Sequence, residues 1–415
     1  MTTPGPLALL RQTPAAVVVG IGCALTLVGL SALAEALQAL VWDDLTDALG
    51  IDADSWWWIV LVLTLTGLAV GLVVQLVPGH AGPESATAEL VSEPMPLSAV
   101  PGLALALVLM LAGGVSLGPE NPIMVINASL SVILGLRLVP RIAAPEWMGW
   151  SVAATIGAMF GTPVAAALML TEAQMGDPRI PLWHRLYAPL FAAAAGSATM
   201  LLISDSSMRL DVPGYAGFQV GDLGWAVGVA LLTALLGLAA SYLITPLYRA
   251  FQSLRYPVVA LTVGGFLLGW LGVLGGRETL FKGLEEMSQV TDHIDDYSVA
   301  ELSLMVVVKI AALLVAAAAG FRGGRIFPSV FVGVVAGWAV VGVFDSAPVP
   351  VVIAAGALGI TIAATRSGWL ALFLAAVIVP DIELLPLLLV ATLVVWLVVA
   401  GRHELRADPV AGSGA

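Results

Sequence analysis

The chain has 415 residues, of which 60% are hydrophobic and 11% are charged, and its mean hydropathy is +1.01. A soluble domain carries about 25% charged residues, so the composition indicates a multi-pass membrane protein. The formal net charge is −12 and no basic patch with interleaved aromatic residues occurs, which argues against nucleic-acid binding. One cysteine, Cys23, excludes an intramolecular disulfide framework.

The first apolar segment, 15–41, is predicted to be a retained membrane helix. The residues before it carry Arg11, and no small-residue cleavage site follows a short apolar core, as a signal peptide would require. The acidic segment 43–54 is expected to face outside, whereas Arg402 and Arg406 favour a cytoplasmic C-terminus. We therefore expect a multi-pass protein of the cell (plasma or inner) membrane, in contact with the lipid bilayer.

Apolar segments follow along the whole chain, near 15–41, 56–77, 98–117, 123–138, 147–171, 186–204, 222–248, 256–276, 300–319, 326–344, 349–365, 367–380 and 384–400. Several are shorter than the ~20 residues that span the hydrocarbon core. Glycine or proline also bounds many of them inside otherwise apolar sequence. Broken helices of this kind are tolerated at membrane depth only where protein or a water-filled cavity covers the freed backbone groups.

Polar linkers are predicted at 79–97, 205–221 and 277–299. The middle linker divides a single transmembrane domain, 1–415, into two halves of similar length. The predicted boundaries are 1–205 for the first half, 222–401 for the second half and 402–415 for a short cytoplasmic tail.

The two halves have related patterns. A Gly-rich segment opens a short helix in each half, at 116–122 and at 320–328. Roughly 40 residues later each half has a further interruption, at 161–163 and at 366–368. Paired broken helices in corresponding places of two halves are the best sequence indication of a transporter binding site.

Glu120 lies in the first of these Gly-rich segments, and the flanking stretches 98–115 and 123–136 contain no charge. An ionisable group at membrane depth costs about 2.5–3.5 kcal/mol on insertion scales, so it usually has a function. Helix N-termini after Gly118 and after Gly324 are expected to converge and to bind an anion through their free N–H groups. The Glu120 carboxylate would then occupy this site when ionised and leave it when protonated or displaced. The alternative is a capping glutamate, which stabilises a helix start by up to about 1 kcal/mol.

Four motifs resemble those of the CLC chloride channels and chloride/proton antiporters. SLGPENP at 116–122 resembles the Gly-x-Glu-Gly-Pro signature, and GGRIFP at 323–328 resembles the Gly-Gly-x-x-x-Pro signature. GHAGPE at 79–84 is similar to the Gly-Ser-Gly-Ile-Pro-Glu motif, and FGTP at 160–163, followed by Glu172, is similar to the Asn-Ala-Pro segment and the acidic end of its helix. The sequence is most similar to a bacterial branch of ion-transport proteins without CBS domains.

The resemblance implies an all-α fold with an antiparallel inverted repeat of broken and tilted helices. It implies a homodimer with one pore per subunit, whose interface would use segments near 163–175, 186–204, 368–380 and 384–400. It also implies that Glu120 is the external gating glutamate. The anion would be bound around Gly118, Glu120 and Asn121, by backbone N–H groups that include those of Arg325 and Ile326, with His80 in the place of the motif serine.

The departures from the family pattern concern the central donors and the proton path. The His80 imidazole can donate to the anion or face away as a hydrogen-bonding group at a helix end. The tyrosine of the last family helix has no match, since the segment after Gly401 leaves no room for that helix. Ala173 stands where the antiporters have an internal proton-transfer glutamate, with Glu172 beside it as a candidate for the proton path. These changes favour passive or loosely proton-coupled transport of an anion, chloride in the first instance, over the alternative of chloride/proton antiport.

Two other function classes fit parts of the sequence. Residues 114–118 match Gly-x-Ser-x-Gly, the nucleophile pattern of serine hydrolases, but that pattern needs a strand–turn–helix context and a histidine partner. A cation- or solute-coupled carrier would require several carboxylates at the midplane, where only Glu120 and Glu172 are candidates. We therefore expect a transporter and not an enzyme.

The remaining charged residues are assigned as follows. The four histidines have no metal-ligand spacing, so neither a metal site nor a cofactor is expected. Arg322 and Arg325 are expected to line a vestibule and raise the local anion concentration. Lys309, which has a counterpart in the family, is expected to be a buried structural partner of a carbonyl or an acid.

Overall fold

The computed structural model describes residues 5–89, 91–173, 179–204 and 208–408, and the described residues form helices joined by loops, with no strand. The helices of the first half are α1 Pro6–Ala39, α2 Leu45–Leu49, α3 Trp56–Leu76, α4 Val100–Ala112, α5 Glu120–Leu138, α6 Ala144–Phe160, α7 Pro163–Glu172 and α8 Leu182–Ile203. Those of the second half are α9 Asp222–Gln252, α10 Pro257–Gly275, α11 Leu284–Asp292, α12 Val299–Ala319, α13 Ile326–Val343, α14 Val349–Thr365, α15 Gly368–Ile378 and α16 Leu385–Val399.

Many of these helices are long and apolar enough to cross a membrane. Within the described ranges nine spans meet that criterion, and four shorter apolar helices, α4, α7, α14 and α15, accompany them. Of these short helices α14 is covered most completely, since every residue from Pro350 to Ala364 is buried. This burial by protein is what allows helices shorter than the bilayer to exist at membrane depth.

The two halves contain matching helix breaks, as the inverted-repeat prediction requires. Between α6 and α7 the chain turns at Gly161, whose φ is +68°, and the Thr162 hydroxyl then accepts a hydrogen bond from the N–H of Val164. Between α14 and α15 the chain turns at Arg366, whose φ is +54°, and Ser367 caps the next helix in the same way. A left-handed residue followed by a hydroxyl N-cap thus starts a new helix in both halves.

Glycines bring several helices into backbone contact. A Cβ on Gly67 of α3 would meet the backbone of Leu261 in α10, and a Cβ on Gly265 would meet the backbone of Leu63. This close approach is typical of small-residue interfaces between membrane helices, where packing replaces the hydrophobic effect.

Three features differ from the sequence expectations. Helix α1 begins at Pro6, ahead of the predicted segment 15–41, because proline is compatible with the first turn of a helix. The linker predicted at 277–299 contains α11, whose apolar side chains Met287 and Val290 are three residues apart and buried. The described part of the predicted tail, 402–408, packs back against the body of the protein through Leu405 and Ala407, which are buried.

Candidate functional site

The N-termini of α5 and α13 meet at the centre of the fold. Gly118 and Gly324 form an antiparallel bridge, in which the Gly118 N–H donates to the Gly324 carbonyl at 2.9 Å and the Gly324 N–H donates to the Gly118 carbonyl at 2.6 Å. Each helix begins two residues after its glycine. The first N–H groups of a helix have no partner within the helix and carry partial positive charge. The bridge therefore places two electropositive helix starts side by side.

The Glu120 carboxylate lies between these helix starts and is fully buried, with 0% of the residue exposed. Its Oε1 accepts a hydrogen bond from the backbone N–H of Phe327 at 2.7 Å, and its Oε2 has no hydrogen-bond partner. The carboxylate thus occupies the N-terminus of α13, a position that favours negative charge. The N–H belongs to α13 and not to the helix that Glu120 begins, so the capping alternative and the competition with an anion both concern the start of α13.

Phe327 was not among the predicted donors. The sequence expectation used Arg325 and Ile326, which are the N-cap and the first helical residue of α13. Groups that bind at a helix start are usually held by the N–H of the second or third helical residue. Counting from the N-cap would have pointed to Phe327.

Gly118 and Gly324 leave the space that the carboxylate fills. A Cβ on Gly324 would overlap Glu120 Oε2 and lie 2.7 Å from Glu120 Cδ, and a Cβ on Gly118 would lie 2.5 Å from Glu120 Cδ. The Gly118 N–H already donates to Gly324, so this predicted anion-site residue contributes space here and not a free donor.

Asn121, Arg325 and Ile326 come together at one side of the helix starts. All three line a polar cavity of about 350 Å³ that also borders Thr365. Asn121 is buried, whereas Arg325 retains 12% exposure of its side chain. These three predicted site residues thus line one cavity, called the vestibule below, and Asn121 is the residue that follows Glu120. That Arg325 raises the local anion concentration stays a prediction.

His80 is placed away from the site. Its side chain is exposed, its φ is +49°, and Nδ1 lies 3.0 Å from the carbonyl oxygen of Val74 in the last turns of α3. Of the two expectations for His80, the structure has the helix-end hydrogen-bonding group and not the anion donor. The cause is the left-handed backbone at 79–81, which turns the imidazole back toward α3.

Ser85 takes a position that sequence reasoning missed. This buried hydroxyl donates to the carbonyl of Phe321 at 2.5 Å and accepts from the N–H of Gly323 at 2.6 Å. It thereby ties the loop after α3 to the Gly-rich segment that opens α13. No local motif marked Ser85, because both partners are more than 230 residues away.

Arg322 does not line the vestibule, contrary to expectation. Its guanidinium is buried and donates to three backbone carbonyls, those of Gly320 at 2.6 Å, His80 at 2.9 Å and Ala81 at 3.2 Å. It is a clamp between two loops. The two arginines of this motif have different surroundings, because residue 322 precedes the Gly118–Gly324 bridge in the chain and residue 325 follows it.

Glu172 is engaged at a helix start distant in sequence. Its carboxylate accepts hydrogen bonds from the hydroxyl of Ser367 and from the N–H of Gly368, the latter at 2.9 Å. The carboxylate thus stabilises the N-terminus of α15. Glu172 is not among the residues that line the vestibule beside Asn121.

Lys309 is fully buried and its ammonium is saturated by the backbone. Nζ donates to the carbonyls of Thr279, Leu280 and Phe281 at 3.0, 2.7 and 3.1 Å. It also lies 4.7 Å from the centroid of the Phe331 ring. The three carbonyls make Lys309 an anchor of the loop before α11, the structural role expected for it.

Two other kinds of site, a metal site and a serine-hydrolase nucleophile, lack the required geometry in the part of the chain that the structure describes. No group of three or more His, Cys, Asp or Glu side chains could hold a metal ion there. The Ser116 hydroxyl is buried without a hydrogen-bond partner, and residues 114–118 join two helices instead of a strand and a helix. A hydrolase nucleophile would need a base within hydrogen-bond reach.

Comparison with known sequences identifies the family. Residues 66–399 match the family described as voltage gated chloride channel. The chain belongs to this CLC family. It is 47% identical over 394 residues to the protein named "Putative ion-transport protein YfeO" of Escherichia coli O139:H28, with 95% of this chain and 94% of the relative covered. The same name, identity and coverage apply to a relative from Shigella boydii serotype 4.

Solved structures agree on the fold. A slow cyanobacterial Cl⁻/H⁺ antiporter superposes with a TM-score of 0.79 at 17% identity, covering 94% of this chain and 96% of that chain. A CLC-type fluoride/proton antiporter gives a TM-score of 0.73 at 17% identity, covering 95% and 96%. The predicted all-α CLC fold with its inverted repeat is therefore confirmed, and so is its place among multi-pass ion-transport proteins of this family.

Proposed function

We propose that this CLC-family protein transports a small inorganic anion, chloride in the first instance, through a pathway that the Glu120 carboxylate closes. One observation carries the proposal: a fully buried carboxylate accepts the Phe327 N–H at 2.7 Å, at the N-terminus of a different helix. The permeant anion competes with this tethered carboxylate for the same backbone donors. Transport is passive or loosely coupled to protons.

The strength of the contact suits a gate. One charge-assisted hydrogen bond and the partial charge of a helix start attract an anion without a full positive charge in contact with it. Conduction needs binding that is favourable enough for entry and weak enough for exit. A displaceable carboxylate held by one hydrogen bond meets both conditions.

Chloride/proton antiport is the second candidate. The Glu120 Oε2 has no hydrogen-bond partner, so it can take a proton without breaking the contact to Phe327. The two superposed structures are described as Cl⁻/H⁺ and fluoride/proton antiporters. Against tight coupling, Ala173 cannot carry a proton, and the Glu172 carboxylate is bonded to the start of α15. Loose coupling is therefore the preferred form.

We also propose a homodimer in the cell membrane with one pore per subunit. The expected interface helices α7, α8, α15 and α16 expose large apolar side chains. Leu202 is 86% exposed, Leu397 is 80% exposed and Leu393 is 60% exposed. Exposed leucines fit lipid as well as protein, so the molar mass of the purified protein by light scattering is the test, and a monomer would contradict the dimer.

The function is tested by recording anion efflux and proton movement together from liposomes that contain the purified protein. The wild type, Glu120→Gln and the matched control Glu172→Gln are compared in chloride, nitrate and fluoride. We expect efflux that depends on the anion, rises in Glu120→Gln and is unchanged in Glu172→Gln. Efflux that ignores the anion would contradict the proposed function. Proton movement against its gradient, driven by a chloride gradient, would contradict passive transport and would show that the protein is a chloride/proton antiporter.

A further inference from the structure

The vestibule beside Glu120 has a wall that belongs to the C-terminal strap, defined here as residues 401–408. The cavity of about 350 Å³ is lined on one side by Asn121 and Ile326 and on the other by Glu404 and Arg406 of the strap. An anion that approaches the helix starts through this cavity therefore passes the side chains of the strap.

The strap is held in place by backbone hydrogen bonds to elements that are distant in sequence. The Ala407 N–H donates to the carbonyl of Ala86 at 2.7 Å, and the Leu405 N–H donates to the carbonyl of Ala364 at 3.4 Å. The buried side chains of Leu405 and Ala407 anchor the strap on either side of Arg406. Its charged side chains are thus presented to the cavity from a fixed backbone.

Glu404 bridges two arginines inside this vestibule. Its Oε1 lies 3.1 Å from Arg406 Nε, and its Oε2 lies 3.6 Å from Arg325 Nη2. Arg325 also donates from Nη1 to the carbonyl of Leu405 at 2.6 Å, and Arg406 Nη1 lies 2.7 Å from the exposed carboxylate of Glu89. One carboxylate is therefore shared between two guanidinium groups that come from opposite walls.

We propose that Arg325 and Arg406 form a second anion site in the vestibule and that Glu404 is its built-in occupant, which a free anion displaces. The proposal rests on the proposed function only in assuming that anions enter this cavity. The arrangement repeats that of Glu120 one step closer to solvent: a tethered carboxylate fills a site that binds negative charge. Glu120 accepts a hydrogen bond from one backbone N–H, whereas Glu404 pairs with two side-chain cations.

The chemistry of the pair favours a small planar oxyanion. A guanidinium presents parallel N–H donors that match two oxygens of a carboxylate or of a similar planar anion. Chloride is a single acceptor atom, so both donors of a guanidinium must converge on it at bent angles, whereas nitrate offers each donor its own oxygen. We therefore infer that nitrate binds this site more tightly than chloride does.

The test is calorimetric titration of purified protein in detergent with nitrate and, separately, with chloride. Glu120 is left intact in every variant, so that its carboxylate still fills the place at the start of α13. Variants are Glu404→Gln, the control Asp408→Asn, which changes an exposed carboxylate of the same strap, and the double variant Glu404→Gln with Arg406→Gln. We expect Glu404→Gln to bind nitrate roughly twofold to fivefold more tightly than the wild type, the range for losing a partly exposed ion pair. The control should match the wild type, and the double variant should lose the gain.

Two results would overturn the inference. Equal nitrate affinity in Glu404→Gln and Asp408→Asn would show that Glu404 does not occupy an anion site. A gain that persists in the double variant would show that Arg406 is not part of it. Binding is measured without transport, so an absence of efflux from wild-type liposomes would refute the proposed function and leave this site standing.

Discussion

Replacing Glu120 by alanine removes the carboxylate from the N-terminus of α13 and leaves the Phe327 N–H free for a permeant anion. The hydrogen bond from Phe327 to Oε1 is 2.7 Å long and involves a charged acceptor, a class worth about 1.5–3 kcal/mol. The helix start adds about 0.3–1 kcal/mol, part of which is already contained in that value. In the wild type, an anion that displaces the Glu120 carboxylate must therefore replace an interaction of roughly 2–3 kcal/mol.

That free energy converts directly into an apparent affinity. At about 1.4 kcal/mol for each factor of ten, Glu120→Ala should lower the chloride concentration for half-maximal efflux roughly 30-fold to 140-fold. The assay is chloride efflux from liposomes over a series of chloride concentrations, with the membrane potential clamped by valinomycin and potassium. The alanine variant should fold normally, because the removed carboxylate has only one hydrogen bond and Oε2 has none.

The reasoning fails if Glu120→Ala and the wild type have the same half-maximal chloride concentration while both proteins give one symmetric peak in gel filtration. Such a result would mean that the carboxylate does not compete with chloride at α13. Glu172→Ala is the matched control: it removes a carboxylate that lies at the start of another helix, α15. It should leave the half-maximal concentration unchanged.

Three further predictions concern the space around the Glu120 carboxylate, the buried charge of Lys309 and the pH dependence of stability. Gly324→Ala should lower efflux below that of the wild type, because its Cβ would fill the space at the start of α13 that the Glu120 carboxylate and the permeant anion share. Lys309→Met should lower the free energy of unfolding by about 3–5 kcal/mol, since three buried carbonyls lose their donor and Glu286 loses a compensating charge; thermal melting followed by gel filtration measures it. Burial and the neighbouring Glu278 raise the pKa of Tyr297 to about 12, so the stability gained from the neutral phenol is complete below pH 10 and is lost as the pH rises from 10 to 12; Tyr297→Phe should remove this loss in melting curves.

Each of these predictions has a control in the same chain. Gly22→Ala adds a Cβ that meets nothing within 4 Å, so efflux equal to that of Gly324→Ala would contradict the space argument. Lys282→Met breaks an ion pair with Glu285, and such a pair typically contributes about 0–1 kcal/mol to stability. An equal loss of unfolding free energy in both lysine variants would refute the role of Lys309 as a buried anchor. Tyr256→Phe alters a mostly exposed phenol and should leave the alkaline loss of stability intact.

Local sequence was sufficient for the parts of the site that depend on adjacent residues. A carboxylate between two uncharged stretches identified Glu120, because an ionisable group is costly in hydrocarbon. Glycine and proline marked the helix starts after Gly118 and after Gly324, because these residues control the backbone directly. The matching breaks in both halves indicated a transporter site, and the resemblance of four motifs to the CLC family implied the fold, which the solved CLC structures confirm.

Side-chain direction and pairing over long sequence separations were beyond the reach of that reasoning. The imidazole of His80 turns toward α3 because of a left-handed backbone at its own position. Arg322 and Arg325 are three residues apart, yet one is a buried clamp between loops and the other lines the vestibule. The His80 contact is local but depends on an unusual backbone conformation, whereas the two arginines take partners from distant parts of the chain.

The sequence by itself therefore indicated a membrane protein with matching helix breaks in its two parts and an isolated carboxylate, Glu120, at one of those breaks. Only the tertiary structure decided that Glu120 accepts its hydrogen bond from Phe327, 207 residues away, and that Glu404 reaches Arg325. The physical reason is the same for both. Burial cost and helix breaks are properties of a short segment. The side chain that pairs with the Phe327 N–H or with Arg325 comes from a distant part of the chain, so the packing of the whole chain decides it.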